Sequence, residues 1–144
     1  MNIAIKEIEI KDAAAITSLI RQLGYESTED KTAQRIKNIL NNPQHFACVA
    51  ILENRIVGWI HAFISVHLES EAFAEIGGLV VDEGCRGKGI GEKLIEEVSQ
   101  WARRNNFNKL RVRSNTKRNE THQFYLNRGF VFTKEQKVFD KKIF

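Results

Sequence analysis

Between Leu79 and Gly91 the chain reads Leu-Val-Val-Asp-Glu-Gly-Cys-Arg-Gly-Lys-Gly-Ile-Gly, an apolar strand end that runs into alternating glycines and then into a helical pattern. That layout is an anion cradle. Gly87, Gly89 and Gly91 lack Cβ atoms, so a phosphate can approach the main chain, and the unpaired N–H groups of the helix's first turn point at it. Arg86 and Lys88 add positive charge at the rim. Two other phosphate loops are excluded by spacing. Ile90 stands where a nucleotide-triphosphate loop needs Lys, and Gly87-Lys88-Gly89-Ile90-Gly91 lacks the two residues that a dinucleotide fingerprint places before its last glycine.

The elements that must position this loop follow from periodicity. Ile3, Ile5, Ile8 and Ile10 alternate imperfectly with polar residues over 3–10, which predicts a first strand with one slip of register. Asp12 is placed to cap a helix whose apolar face is Ile16, Leu19, Ile20 and Leu23, with Gly24 as its stop. Ser27 with Asp30 reads as the capping box of a second helix, ended by Asn41-Asn42-Pro43. Residues 46–52 and 56–66 flank Glu53-Asn54-Arg55 as an antiparallel hairpin, and 72–81 form the next strand. Gly77-Gly78 inside that strand predicts a bulge or a close approach. A helix from Gly91 carries Leu94, Ile95, Val98, Trp101 and Ala102 on one side. Strand 109–114, helix 119–127 and strands 130–133 and 137–144 complete the chain, with no repeat or linker to justify a domain boundary within 1–144.

The loop resembles the Arg/Gln-x-x-Gly-x-Gly/Ala signature of the GCN5-related N-acetyltransferase (GNAT) family, with Arg86, Gly89 and Gly91 in the fixed places. A second segment, from Arg118 through His122, Phe124, Tyr125 and Gly129 to Phe130, resembles that family's R-x-x-A-H-x-F-Y-x-x-x-G-F run, with Thr121 in place of the small Ala. The element order βααβββαβαββ extends the resemblance over essentially the full length. It implies an α/β acetyltransferase fold, a mixed and mostly antiparallel sheet of about seven strands flanked by about four helices.

What the resemblance implies about chemistry is specific. Acetyl-CoA is the expected cosubstrate, held by Arg86, Gly87, Lys88, Gly89, Ile90 and Gly91. Free N–H groups at Leu79, Val80 and Val81 are expected on the pantetheine and the thioester oxygen, where the strand splays from its neighbour. Tyr125 matches the general acid that protonates the departing thiolate; taken alone, it reads as packing with a polar tip. Glu75 is the candidate base, Glu71 a weaker one, with a solvated strand carboxylate or a water chain as the alternatives. Asn115 and Asn119 are expected on the pantetheine or as helix caps. The acceptor side falls near residues 24–32, 59–67 and 133–137, where Glu26, Glu29 and Asp30 could draw a cationic amine. A small-molecule amine is the expected acceptor. A protein lysine or N-terminal amine is the alternative within the class, and a non-catalytic acyl-CoA sensor is the alternative outside it. A homodimer paired through the strand at 137–144 is also expected.

Composition narrows the remaining classes. The 144 residues carry 22 Lys and Arg against 18 Asp and Glu, a net charge of +4 that suits an anionic ligand. The basic run from Arg103 to Arg118 has almost no interleaved aromatics and no nucleic-acid-binding pattern, so nucleic acid is not an expected partner. Cys48 and Cys85 form no disulfide framework, and His45, His61 and His67 have no second ligand at metal spacing. The N-terminal stretch lacks a signal peptide's apolar run, and no segment reaches membrane-spanning length. The expectation is a cytoplasmic, metal-free enzyme without a membrane anchor.

Overall fold

The computed structural model describes residues 2–144, which divide into two compact units, one running to Val112 and the other spanning Arg113–Phe144. The first holds a five-stranded sheet in the order β1-β2-β3-β4-β5: β1 Ile3–Glu7, β2 His45–Leu52, β3 Arg55–Ser65, β4 Phe73–Val81 and β5 Leu110–Val112. The first four strands are antiparallel, and β5 runs parallel to β4.

Helices α1 (Ala13–Gln22) and α2 (Glu29–Leu40) pack on one sheet face through Ala13, Ile16 and Ile36, against Ile8, Ala47, Val49 and Trp59. The helices are joined by buried hydroxyls. Thr17 Oγ1 donates to the Ala13 carbonyl at 2.7 Å and lies 2.7 Å from Thr32 Oγ1, which in turn lies 3.0 Å from Ser27 Oγ. Ser27 is therefore an interior linker, and the N-cap of α2 is Thr28, whose Oγ1 accepts from Lys31 N. The N-cap predicted at Ser27 falls one residue later, because burial claims the serine, and no capping box forms, since Lys31 stands at the third helical position. Asp12 likewise does not cap α1 with its side chain. Its carboxylate accepts from Glu9 N and from Lys6, fastening the 3₁₀ turn Ile10–Asp12 that ends the predicted long first strand early.

Helix α3 (Ile90–Arg104) covers the other face with Ile90, Leu94 and Val98, all essentially fully buried, each worth about 1.5–3 kcal/mol of transfer free energy. Trp101 stacks on Phe46 at 5.3 Å. Cys48 is sealed under this face, and burial pushes its thiol up to about 12, so it is inert at neutral pH.

The second unit contains α4 (Asn119–Leu126) and a tail without regular secondary structure. His122 Nε2 lies 2.7 Å from the Asn115 carbonyl, Gly129 ends the helix with φ +88°, and Arg113 bonds Gln136 through their side chains. The strands expected at 130–133 and 137–144 do not form, so the sheet has five strands and not about seven. Alternation reports amphipathy, whereas a strand also needs a ladder partner for its N–H and C=O groups, and none is supplied to these residues among those described. Val131, Phe132, Val138, Phe139, Ile143 and Phe144 are consequently all exposed.

Candidate functional site

The glycine loop adopts the shape its sequence calls for. Gly87 and Gly89 both take φ +79°, a left-handed conformation that glycine enters without strain, and Gly89 is the N-cap of α3. A Cβ placed on either would meet nothing within 4 Å, so the cradle is open above the first turn of α3. Arg86 and Lys88 are exposed at its rim, while Ile90 is buried and anchors the helix start in the core.

Upstream, β4 is nine residues long but pairs with β5 only at Ala74↔Leu110, Glu75↔Arg111 and Ile76↔Val112. From Gly77 to Val81, the side of β4 facing β5 has no ladder partner among the described residues. Along Leu79–Val81 this unpaired edge of β4 runs toward the glycine loop, with the N–H groups of alternate residues facing it and that of Val80 facing β3.

The other edge of β4 is distorted. His61 pairs with Gly78 and Ala62 with Ile76, which leaves Gly77 as the extra residue of a bulge. The predicted weakness of Gly77-Gly78 takes this form, and close approach accompanies it. A Cβ on Gly77 would lie 2.7 Å from His61 Nδ1, and one on Gly78 would lie 2.7 Å from Trp59 Cη2. The bulge also rephases the strand, so that Glu75, opposite Phe63, shares the face of His61 and Trp59. Glu75 is 8 % exposed, which removes the solvated-carboxylate alternative; Glu71 is exposed ahead of the strand.

On this face Trp59, His61 and Phe63 make a half-buried aromatic shelf on the same side of the sheet as α1 and α2. His45 joins it, its Nδ1 2.9 Å from His61 Nε2, with ring planes 7° apart. Burial first, and the neighbouring His45 second, lower the His61 pKa to about 4, so its imidazole is neutral at neutral pH. Trp59 Nε1 is shielded from water without a hydrogen-bond partner among the described residues. Sequence reading missed the histidine pair. A turn at Glu53-Asn54 extended without a bulge would set His45 opposite Ala62, on the face away from His61; Val57, unmatched between Ile56 and Gly58, shifts the register by one and brings the rings together.

At the α1–α2 corner a recess of about 550 Å³ is lined by Arg21, Gly24, Tyr25, Glu26, Ser27, Thr28 and Lys31. Of the three expected acidic residues only Glu26 lines it, beside two cations; Glu29 and Asp30 are exposed in the first turn of α2.

Within the second unit, Tyr125 is flanked edge-on by Phe124 and Phe130 at ring distances of 5.3 Å each, and burial raises its hydroxyl pKa. Asn115 spends its side-chain oxygen on Lys117 N at 2.9 Å, which favours the turn-forming role over ligand contact for that atom. Asn119 opens α4.

Comparison with known proteins gives the family and fold to which the chain is similar. The acetyltransferase (GNAT) family model matches residues 13–130. The aminoalkylphosphonate N-acetyltransferase of Salmonella typhimurium (strain LT2) is 30% identical over 119 residues, covering 81% of this chain and 75% of that protein. Two solved folds are similar at low identity. The aminoglycoside antibiotic 6'-N-acetyltransferase AAC(6')-Ih from Acinetobacter baumannii gives a TM-score of 0.84 at 19% identity, covering 99% of each chain. AAC(6')-Iy, in complex with the bisubstrate analog CoA-S-monomethyl-acetylneamine, gives 0.88 at 16% identity, again covering 99% of each.

Proposed function

The chain belongs to the acetyltransferase (GNAT) family, and from that premise we propose that it moves the acetyl group of acetyl-CoA directly to the primary amine of a small molecule, residues 1–144 acting as one domain. The observation that carries this reading is the opening of β4 from β5 beyond Ile76, immediately ahead of an uncovered glycine cradle.

In this reading Arg86 to Gly91 hold the CoA pyrophosphate with main-chain N–H groups and rim charge. Along Leu79, Val80 and Val81, the N–H groups that face away from β3 are offered to the pantetheine and to the thioester oxygen, where negative charge develops. Asn115 adds its amide nitrogen, and Asn119 the start of α4. Glu75, directly or through water, takes the proton of the incoming ammonium. The amine lone pair then forms the C–N bond at the thioester carbonyl carbon, the C–S bond breaks as Tyr125 donates its phenolic proton to the leaving thiolate, and the extra proton on the acylated nitrogen is released through water to restore the phenol. A raised pKa suits that task, since the hydroxyl retains its proton until the thiolate appears.

A small acceptor is favoured because the shelf of Trp59, His61 and Phe63 is half-buried, a surface suited to a compact ligand more than to an extended peptide. Trp59 Nε1 is a donor that a polar group of such a ligand satisfies. The named relatives act on aminoalkylphosphonates and aminoglycosides, which are both compact amines. A homodimer covering the exposed apolar tail and a cytoplasmic location belong to the same proposal. No helix among the described residues is long and apolar enough to cross a membrane.

Thiol release from acetyl-CoA, measured with purified protein against aminoalkylphosphonates, aminoglycosides, polyamines, amino acids and lysine peptides, tests the reading. Release with a small amine is the expected result; release with lysine peptides alone makes this a protein acetyltransferase.

A further inference from the structure

We propose that Gln22, Arg55 and Asp82 form a clamp that aims the acetyl-CoA loop, so that cofactor affinity is set in part by α1 and β3. The proposal rests on the reading of residues 86–91 as the CoA cradle. A glycine-rich segment does not hold its own direction, because glycine populates both signs of φ; whatever fixes the turn entering the segment fixes where its N–H groups point.

That turn is Glu83–Cys85, and its anchors come from distant parts of the sequence. Asp82 N donates to the Val57 carbonyl at 2.8 Å, and Cys85 N donates to the Asp82 carbonyl at 2.9 Å. Both carboxylate oxygens of Asp82 are engaged. Oδ2 accepts from Arg55 Nη1 at 2.7 Å, and Oδ1 accepts from Gly84 N at 3.3 Å and from Gln22 Nε2 at 3.2 Å. The second arm of Arg55 reaches Cys85 Sγ at 3.6 Å. Gln22, in the last turn of α1, uses both ends of its amide, donating to Asp82 and accepting from Glu83 N at 3.1 Å. Only a carboxamide of this length makes both bonds: Glu cannot donate and would oppose the Asp82 carboxylate, and Asn is one methylene shorter.

Arg55 is 62% exposed although Asp82 is only 16% exposed, and an ion pair with one partner in solvent contributes little to global stability. What the clamp constrains is local. It converts the entry into a turn held by four side-chain bonds to two elements, α1 and β3, and it does so next to the N-terminus of α3. The hydrogen bond from Arg55, followed by those from Gln22 and Gly84 N, holds the Asp82 carboxyl below its ordinary range, so the clamp is charged and intact at neutral pH.

Calorimetric titration with CoA tests the proposal on wild type, Gln22→Ala, Gln22→Glu, Arg55→Ala, Arg55→Lys and Asp82→Asn, each checked by its melting temperature. The alanine variants are expected to weaken CoA binding about threefold to thirtyfold, the loss of one or two charge-assisted bonds that orient the site. Melting temperatures should stay close to wild type, and Arg55→Lys should recover part of the affinity. Gln22→Ala should cost less when added to Asp82→Asn than when made alone, since both act through one turn. Wild-type affinity in Gln22→Ala and Arg55→Ala overturns the clamp while leaving the cradle in place. Failure of the wild type to bind CoA overturns the cradle reading, and the clamp with it.

Discussion

Two glycine clusters lie close together in sequence and serve opposite ends. Gly77 and Gly78 are glycine because neighbours crowd them: His61 and Trp59 side chains stand where a Cβ would be. Gly87 and Gly89 have empty space above them and are glycine because the backbone turns left-handed at φ +79°. The covered pair is part of packing, and the uncovered pair is set by backbone conformation alone. If the proposed CoA site is at the second pair, substitutions at the two should separate folding from binding.

The largest effect is expected at the uncovered pair. Gly89→Val should reduce CoA affinity by about a hundredfold or more, since a branched side chain fills the approach and resists positive φ. Its melting temperature should fall only modestly, the local strain being on the order of 1–3 kcal/mol. CoA titration beside thermal melting reads both, and retained affinity would erase the contrast.

Tyr125→Phe should touch neither side of the comparison. The ring keeps its contacts with Phe124 and Phe130, so folding and CoA binding hold, while turnover drops about tenfold to a thousandfold through loss of one proton donor. Steady-state kinetics with an acceptor from the amine screen decide this, and unchanged turnover makes Tyr125 a packing residue.

Gly78→Ala is the converse of Gly89→Val. A methyl group 2.7–2.9 Å from the Trp59 ring forces that ring to move, at a cost of about 1–3 kcal/mol in urea denaturation. CoA affinity should stay near wild type. If affinity falls as far as stability does, packing and binding are not separable at β4.

The smallest effect concerns pH at the shelf beside the covered pair. His61 has a folded pKa of about 4, lowered by burial and by His45, against an ordinary histidine value of 6.5. The unfolded chain therefore binds more protons between these values, and stability present above pH 6.5 declines as pH falls toward 4. Asp12 and Glu75 also line the α1/α2 side and Lys6 pairs with Asp12, so the histidine contribution is isolated by difference: His61→Asn should flatten this part of the pH–melting curve. An identical slope in the variant would assign the titration elsewhere.

Legibility differed by the range of the interaction involved. The helices α1, α2 and α3 could be read from apolar spacing because each buries one stripe, and the stripe is written locally in residues such as Leu94, Ile95 and Val98. The left-handed turns of the glycine loop could be read because the demand for positive φ is met by residue type alone. Caps were less legible: Ser27 and Asp12 have capping chemistry, yet buried hydroxyl contacts in one case and a Lys6 ion pair in the other claimed their oxygens.

The sequence alone determined where the glycine loop and the helices lie, and to which family the loop and the Arg118–Phe130 segment point. Only the tertiary structure decided which side chains meet. The unmatched Val57 brought His45 to His61, the bulge at Gly77 turned Glu75 onto the aromatic face, and Gln22 and Arg55 converged on Asp82. It also decided that the alternating tail is not a strand of its own chain's sheet. The reason is that periodicity and φ preference are properties of a few consecutive residues, whereas register, bulges and ladder partners are set by the fit of segments far apart in the chain, where a shift of one residue exchanges the faces of a strand.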